Sequence, residues 1–165
     1  MKVLCLLLVL TILFIQGEAL KNLMGTDIHK CISCLCHART GCWRRRNCAS
    51  YSISFDYWKT AGSPVLDPSH DPDSEESYKK CLLDENCIVN TIDKYTSSFG
   101  ELDCNCDGKF DCKDRFAIHL NGERCVNPNF GRTYARRFNE CAQSIGVKEM
   151  LSQEGYKGCV LPDVQ

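Results

Sequence analysis

Cysteines constrain the fold of this 165-residue chain more than any other feature, since it contains 14 of them. Cys5 lies in an N-terminal segment that we expect to be removed, which leaves 13. In a secreted chain this density predicts a disulfide framework, and spacing alone leaves the pairing open. Because the number is odd, at least one thiol is unpaired or joins another chain. The predicted disulfide cysteines are Cys31, Cys34, Cys36, Cys42, Cys48, Cys81, Cys87, Cys104, Cys106, Cys112, Cys125, Cys141 and Cys159.

The N-terminus has the pattern of a secretory signal peptide. Lys2 supplies the charged start, and Val3 to Ile15 form an apolar core that is too short for a membrane span. Ala19 is the small residue after which we expect cleavage. The sequence therefore predicts a signal peptide over 1–19 and a secreted, extracellular, soluble protein with no membrane span. Its length suits a single domain over 20–165.

Charge limits the classes of partner. The net charge of the whole chain is −1 at pH 7, which argues against nucleic acid and against a strongly cationic, membrane-lytic role. Two local runs depart from this balance. Arg44 to Arg46 form a basic cluster beside Trp43, which suits either an anionic polymer or a solvated loop. The acidic tract over 67–76 is interpreted as a solvated loop.

Most of the chain has helical spacing. Ile28, Cys31, Ile32 and Leu35 fall on one helical face, with a cap predicted at Asp27 and an end at Gly41. Further helices are predicted from Ser74, from Ile88 to the residues before Gly100, over Cys112 to Leu120, and over Thr133 to Ile145. The fold class predicted from these segments is predominantly helical.

One stretch favours an extended strand instead. Between Cys48 and Trp58 apolar and polar residues alternate with period two, which is typical of a half-buried strand. The apolar members of the alternation are Tyr51, Ile53, Phe55 and Tyr57. Together with the helices, this predicts an α+β domain that is rich in disulfides and has one small β element.

No cofactor is expected, and the metal alternatives are limited. Cys31 and Cys34 have CxxC spacing, but zinc would require a second matched pair in a reducing compartment. Asp103 to Asp114 fits much of a calcium-binding EF-hand loop, with oxygen ligands at positions 1, 3 and 5 and Gly108 at position 6. Asp replaces the usual Glu at position 12, and three cysteines lie inside the loop. Calcium binding by this loop is left open.

The ordered cysteine and aromatic motifs resemble the invertebrate-type lysozymes, the destabilase-like family. The resemblance implies a lysozyme-like fold with a helical lobe, a small β lobe and a sugar-binding cleft between them. The matching motifs are Cys31-x-x-Cys34-x-Cys36 with Gly41-Cys42, Cys48-x-x-Tyr51-x-Ile53-x-x-x-Tyr57-Trp58, Cys81-x-x-Asp84-x-x-Cys87, and Phe116-Ala117 followed by His119, Asn121-Gly122 and Cys125.

The resemblance also indicates that both catalytic carboxylates are missing. Glycosidic hydrolysis needs two carboxyl groups, roughly 5 Å apart in a retaining enzyme. The family acid lies in a Glu-Ser-Gly-Cys segment, which here reads Arg39-Thr40-Gly41-Cys42, so that Arg39 holds the acid position. The family Asp falls in the loop between Cys42 and Cys48, which is shortened and has no carboxylate. The Lys of the family's isopeptidase dyad is replaced by Ser54, and its Ser falls in the shortened loop.

Other residues are candidates for a remaining site. Asp56, Glu101 and Asp103 are carboxylates that could substitute for the lost pair. The resemblance implies glycan contact by His119 and Asn121, and aromatic rings suit stacking on sugars. A local helix-end role for His119 and core roles for Tyr57 and Trp58 are alternatives. The candidate glycan-binding residues are Tyr51, Tyr57, Trp58, His119 and Asn121.

The sequence leaves three alternative functions. The first is a secreted lysozyme-like protein of antibacterial defence that binds bacterial peptidoglycan or a related glycan, with muramidase activity lost. The second is an active muramidase with relocated acids. The third is a secreted interaction protein that keeps only the fold. Oligomeric state is left open by the sequence.

Overall fold

The computed structural model describes residues 20–41, 53–126 and 131–145, and these residues are predominantly helical without any strand. Several features of the sequence lie outside the described residues: the predicted signal peptide, the loop between Cys42 and Cys48, Tyr51 and Cys159. In the described ranges no helix is long and apolar enough to cross a membrane. The elements are α1 Asp27–Thr40, α2 Phe55–Thr60, α3 Glu75–Cys81, α4 Glu85–Ser97, α5 Cys112–Asn121, the 3₁₀ turn Gly122–Arg124 and α6 Arg132–Ser144.

The predicted ends of the helices are largely confirmed. Ser74 caps α3, because its side chain accepts a hydrogen bond from the backbone N–H of Ser77. Gly41 ends α1 in the left-handed conformation, with φ of 70°. The first cap differs from the prediction, since Thr26 rather than Asp27 caps α1. A Cβ added at Gly41 would lie 2.9 Å from the guanidinium carbon of Arg137, so this helix end packs closely against α6.

The prediction of an extended strand through Trp58 is wrong for residues 55–58, which lie in α2. Ser54 is the cap, and its hydroxyl accepts a 3.1 Å hydrogen bond from the backbone N–H of Tyr57. Tyr57 and Trp58 are adjacent and both buried. A helix allows this because neighbouring side chains point only about 100° apart, whereas a strand sends them to opposite faces. A short alternating run does not separate these two cases.

Helix α1 is central because it contacts α4, α5 and α6. One core cluster lies where α1 meets α5 and α6, and it includes Leu35, Phe116 and Phe138, the last two being stacked at 4.6 Å between ring centroids. A second cluster joins α1 to α2 and α4 around Ile32 and Trp58. The apolar faces of one helix therefore hold the other helices in place.

Four disulfides have both cysteines in the described residues. They join α1 to α5, α1 to α6, α3 to α4, and the loop before α5 to the residue after the 3₁₀ turn. The pairs are Cys31–Cys112, Cys34–Cys141, Cys81–Cys87 and Cys104–Cys125. Cys36 and Cys106 are also disulfide-bonded. The predicted disulfide framework is thus confirmed for these ten cysteines.

The loop before α5 is organised by Asp114, which is fully buried. Its carboxylate accepts hydrogen bonds from the backbone N–H groups of Cys104 at 2.8 Å, Asn105 at 3.2 Å and Asp111 at 2.8 Å. Asp103 accepts from the backbone of Asp107 and Gly108 in the same loop. The carboxylates considered for calcium therefore bind the loop's own amides. Among the described residues, no group of three His, Cys, Asp or Glu side chains is placed to hold a metal ion.

We expect the stability contributed by Asp114 to fall as the pH rises. Burial raises the pKa of this carboxyl to about 6 from 3.8, and the three backbone N–H groups only partly offset that effect. Because the folded state binds the proton more tightly, the contribution is full below about pH 4 and is lost by about pH 6. The stability of the natural protein relative to Asp114→Asn should therefore be greater at pH 4 than at pH 7. Urea unfolding of both proteins at the two pH values measures this, and an equal difference at both would contradict it.

Candidate functional site

An open groove of about 430 Å³ lies where α2, α4 and α5 end near one another. Thr60 comes from the end of α2, Tyr95 and Phe99 from α4 and the residues after it, and Asn121 from the end of α5. The 3₁₀ turn closes the remaining side. The full lining is Thr60, Tyr95, Phe99, Asn121, Gly122, Glu123 and Arg124. The groove therefore combines two aromatic rings with amide, hydroxyl and charged groups.

The aromatic wall of the groove is formed by Tyr95 and Phe99, whose rings meet edge to face at 5.2 Å between centroids. Gly122 has a φ of 61°, and a Cβ there would lie 3.5 Å from the Tyr95 hydroxyl oxygen. The turn thus runs close beside this hydroxyl. Partial burial and the nearby negative charge of Glu123 raise the pKa of Tyr95, so the phenol stays neutral and can donate a hydrogen bond.

A buried layer supports this wall from below. Tyr57 stacks on Tyr95 with ring centroids 3.5 Å apart and planes inclined by 18°. The Tyr57 hydroxyl shares a 2.9 Å hydrogen bond with Nδ1 of His119. Burial raises the pKa of Tyr57 well above 10 and lowers the pKa of His119 to about 4, and both groups are therefore neutral near pH 7.

The charge of one residue outside this layer, Arg39, acts on His119. Its positive charge adds to the effect of burial in lowering the pKa of His119. Arg39 is in the last turn of α1 and its side chain is exposed. Over the described ranges, no acidic side chain pairs with it. The position that the resemblance assigned to the family acid therefore carries a cation that has no acidic partner among the described residues and whose charge acts on the buried histidine.

The predicted glycan-binding residues have different positions. Asn121 lines the groove, whereas Tyr57 and His119 lie beneath it. Trp58 has no exposed surface, and its Nε1 donates a 2.9 Å hydrogen bond to the carbonyl of Pro64. Tyr51 is outside the described residues. Of the four described candidates, one side chain is thus in the groove itself.

Sequence reasoning did not identify most of the groove. Tyr95 lies in the helix predicted after Ile88 and follows the motif of Cys81 and Cys87, but it was not predicted to line a site. Phe99, four residues later, was not singled out. Thr60, Glu123 and Arg124 were missed as well. A signal was available in the dipeptide Glu123-Arg124, which directly follows the motif of His119, Asn121 and Gly122.

Among the described residues, the groove does not gather a pair of carboxylates. Glu123 is the one carboxylate among the lining residues, and it is exposed. Asp56 and Glu101 are exposed and do not line the groove, and Asp103 accepts hydrogen bonds from its own loop. A double-carboxylate mechanism would therefore need a second acid from elsewhere.

Comparison with protein families gives a match for this chain. The family described as Destabilase matches residues 28–141, which is more than half of the chain. The match begins within α1 and ends within α6, so it covers the groove and the layer beneath it. No curated protein and no solved structure matches the chain.

Proposed function

Because this chain belongs to the destabilase family, the family of the invertebrate-type lysozymes, we propose that it is a secreted lysozyme-like protein of antibacterial defence that binds bacterial peptidoglycan without hydrolysing it. Membership itself indicates a lysozyme-like, disulfide-rich protein. Secretion, peptidoglycan binding and the loss of activity are the proposed parts. The disulfides are compatible with an extracellular setting.

The observation that carries the loss of activity is the Arg39 cation. A guanidinium stays protonated at any working pH because its pKa is above about 12, so it does not donate a proton to a leaving oxygen. It also adds positive charge where an oxocarbenium-like transition state would develop positive charge. The charge of Arg39 acts on His119, which lies in the layer under the groove. Without an acid, the rate of glycosidic cleavage falls by many orders of magnitude.

Glycan binding is supported by the composition of the groove. Tyr95 and Phe99 offer ring faces or edges to the apolar faces of sugars, and Asn121 offers both a donor and an acceptor. The stack of Tyr57 under Tyr95 holds the aromatic wall in one orientation, so little side-chain freedom remains to be lost on binding. Trp58 is left out of the proposed contacts because it is fully buried.

We expect the purified protein to be retained on insoluble peptidoglycan but not to clear a suspension of bacterial walls. Retention should fall in Tyr95→Ala, which removes the aromatic wall, and should persist in Leu83→Ala, a control on an exposed side chain outside the groove. Arg39→Glu should also fail to clear walls, because the loop between Cys42 and Cys48 supplies no second carboxylate. A co-sedimentation assay and a turbidity assay measure these two properties.

Two outcomes would contradict the proposal and favour a different function. Clearing of walls that disappears in Glu123→Gln would favour an active muramidase, since Glu123 is the carboxylate among the groove residues. No retention on walls would favour a secreted interaction protein that keeps only the fold.

A further inference from the structure

The rim of the groove carries two neighbouring charges that do not neutralise each other. Glu123 and Arg124 both line the groove and both are exposed. Glu123 and Tyr95 line the same groove, and the negative charge of Glu123 acts on Tyr95. Among the described residues, no hydrogen bond or ion pair involves the guanidinium of Arg124. The groove therefore has an acceptor at one place on its rim and an unpaired cation at another.

These two groups suit different parts of one ligand. Glu123 and the backbone beside Tyr95 suit hydroxyl and amide N–H groups, which any sugar with an acetamido group carries. Arg124 presents a planar fork of N–H donors, whose best partner is a carboxylate because both oxygens are bound at once. A neutral saccharide would leave this cation unused.

We propose that Arg124 makes the groove selective for saccharides that carry a carboxylate over neutral saccharides of the same size. This inference rests on the proposed function, since it names the class of glycan that the same groove prefers. Charge complementarity carries the argument. The other exposed rim charge, Glu123, disfavours a carboxylate near Tyr95 and so directs it toward the Arg124 side.

The test uses two ligands of nearly the same size, one with a carboxylate and one with an uncharged amide in its place. One is the peptide-free disaccharide of N-acetylglucosamine and N-acetylmuramic acid, whose lactyl carboxylate is free because no stem peptide is attached. The other is the same disaccharide with that carboxylate converted to an amide. We expect the natural protein to bind the acid about fivefold more tightly than the amide at low salt, with the difference shrinking at high salt. Arg124→Gln should bind both ligands equally, with about the affinity that the natural protein has for the amide. Titration calorimetry measures all four affinities.

Arg132→Gln is the matched control, because Arg132 is an exposed arginine at the start of α6 that does not line the groove. It should keep the preference for the acid. Equal binding of acid and amide by the natural protein, or a preference that persists in Arg124→Gln, would overturn the inference and leave glycan binding intact. Binding of neither ligand, together with no retention on walls, would overturn the proposed function as well. Among the described residues, Arg124 makes no hydrogen bond or ion pair. We therefore expect Arg124→Gln and Arg132→Gln to have the same melting temperature as the natural protein.

Discussion

Replacing both Cys34 and Cys141 with alanine is expected to lower the free energy of unfolding by about 3 to 4 kcal/mol. This disulfide joins α1 to α6 and links residues 107 positions apart in the sequence. A cross-link of such long range restricts the unfolded chain strongly, and the restriction grows with the logarithm of the loop length. Cys31–Cys112 already joins nearby parts of the chain, which shortens the loop that Cys34–Cys141 closes to about 30 residues. If Cys31–Cys112 were absent, Cys34–Cys141 would close the full loop, and its removal would cost about 5 kcal/mol.

The matched control is the double alanine variant of Cys81 and Cys87, whose cysteines are only 6 positions apart. It removes two equally buried sulfur atoms, but the loop is much shorter and the expected loss is about 2 kcal/mol. Chemical unfolding of the oxidised proteins measures both values. Equal losses in the two variants would mean that local packing rather than chain restriction determines the contribution of Cys34–Cys141.

The second large effect expected is a loss of stability on acidification that depends on His119. Burial lowers the pKa of His119 to about 4 from 6.5, and the charge of Arg39 acts in the same direction. The folded state therefore binds this proton less tightly than the unfolded state. The stability that His119 contributes is fully present above about pH 6.5 and is lost as the pH falls to about 4. The loss is up to about 3 kcal/mol, because each pKa unit corresponds to about 1.4 kcal/mol.

His119→Asn tests this effect while preserving the local hydrogen bond. The asparagine amide reaches about as far as Nδ1 and can bond the hydroxyl of Tyr57, but it does not titrate. We expect the variant to lose no stability to urea between pH 7 and pH 4.5, and to gain some because Asp114 still titrates. A His70→Asn control on the surface loop should keep the pH dependence of the natural protein. A variant that keeps the full acid sensitivity of the natural protein would contradict the assignment to His119.

His119 and Asp114 lie on the same helix and have opposite expected pH dependences. Asp114 stabilises most in acid, since its folded pKa is raised, whereas His119 stabilises most near neutral pH. Between about pH 4 and pH 6 the two contributions partly cancel in the natural protein. The free energy of unfolding should therefore change with pH in opposite directions in the two variants. His119→Asn should become more stable in acid, and Asp114→Asn should become less stable in acid.

Sequence patterns predicted the helices well because their signals are local. Ser74 and Gly41 act through hydrogen bonds and backbone angles within a few residues, so their roles follow from the residues themselves. The stretch around Tyr57 was predicted incorrectly for the converse reason. Six residues are too few for periodicity to distinguish a helix from a strand. The helix is favoured by the burial of Trp58, which donates to the carbonyl of Pro64 and packs against the rings of the second cluster.

The family and the predominantly helical fold were determined by the sequence alone, since ordered motifs are read directly along the chain. The sequence also shows Arg39 at the position where the resemblance implies the family acid. Only the tertiary structure decided the disulfide pairs, the burial of Tyr57 and His119 beneath Tyr95, and the placement of Glu123 and Arg124 on one groove. These depend on which surfaces of α1, α4 and α5 meet. That choice is made by apolar packing between residues far apart in sequence, which a local pattern does not encode.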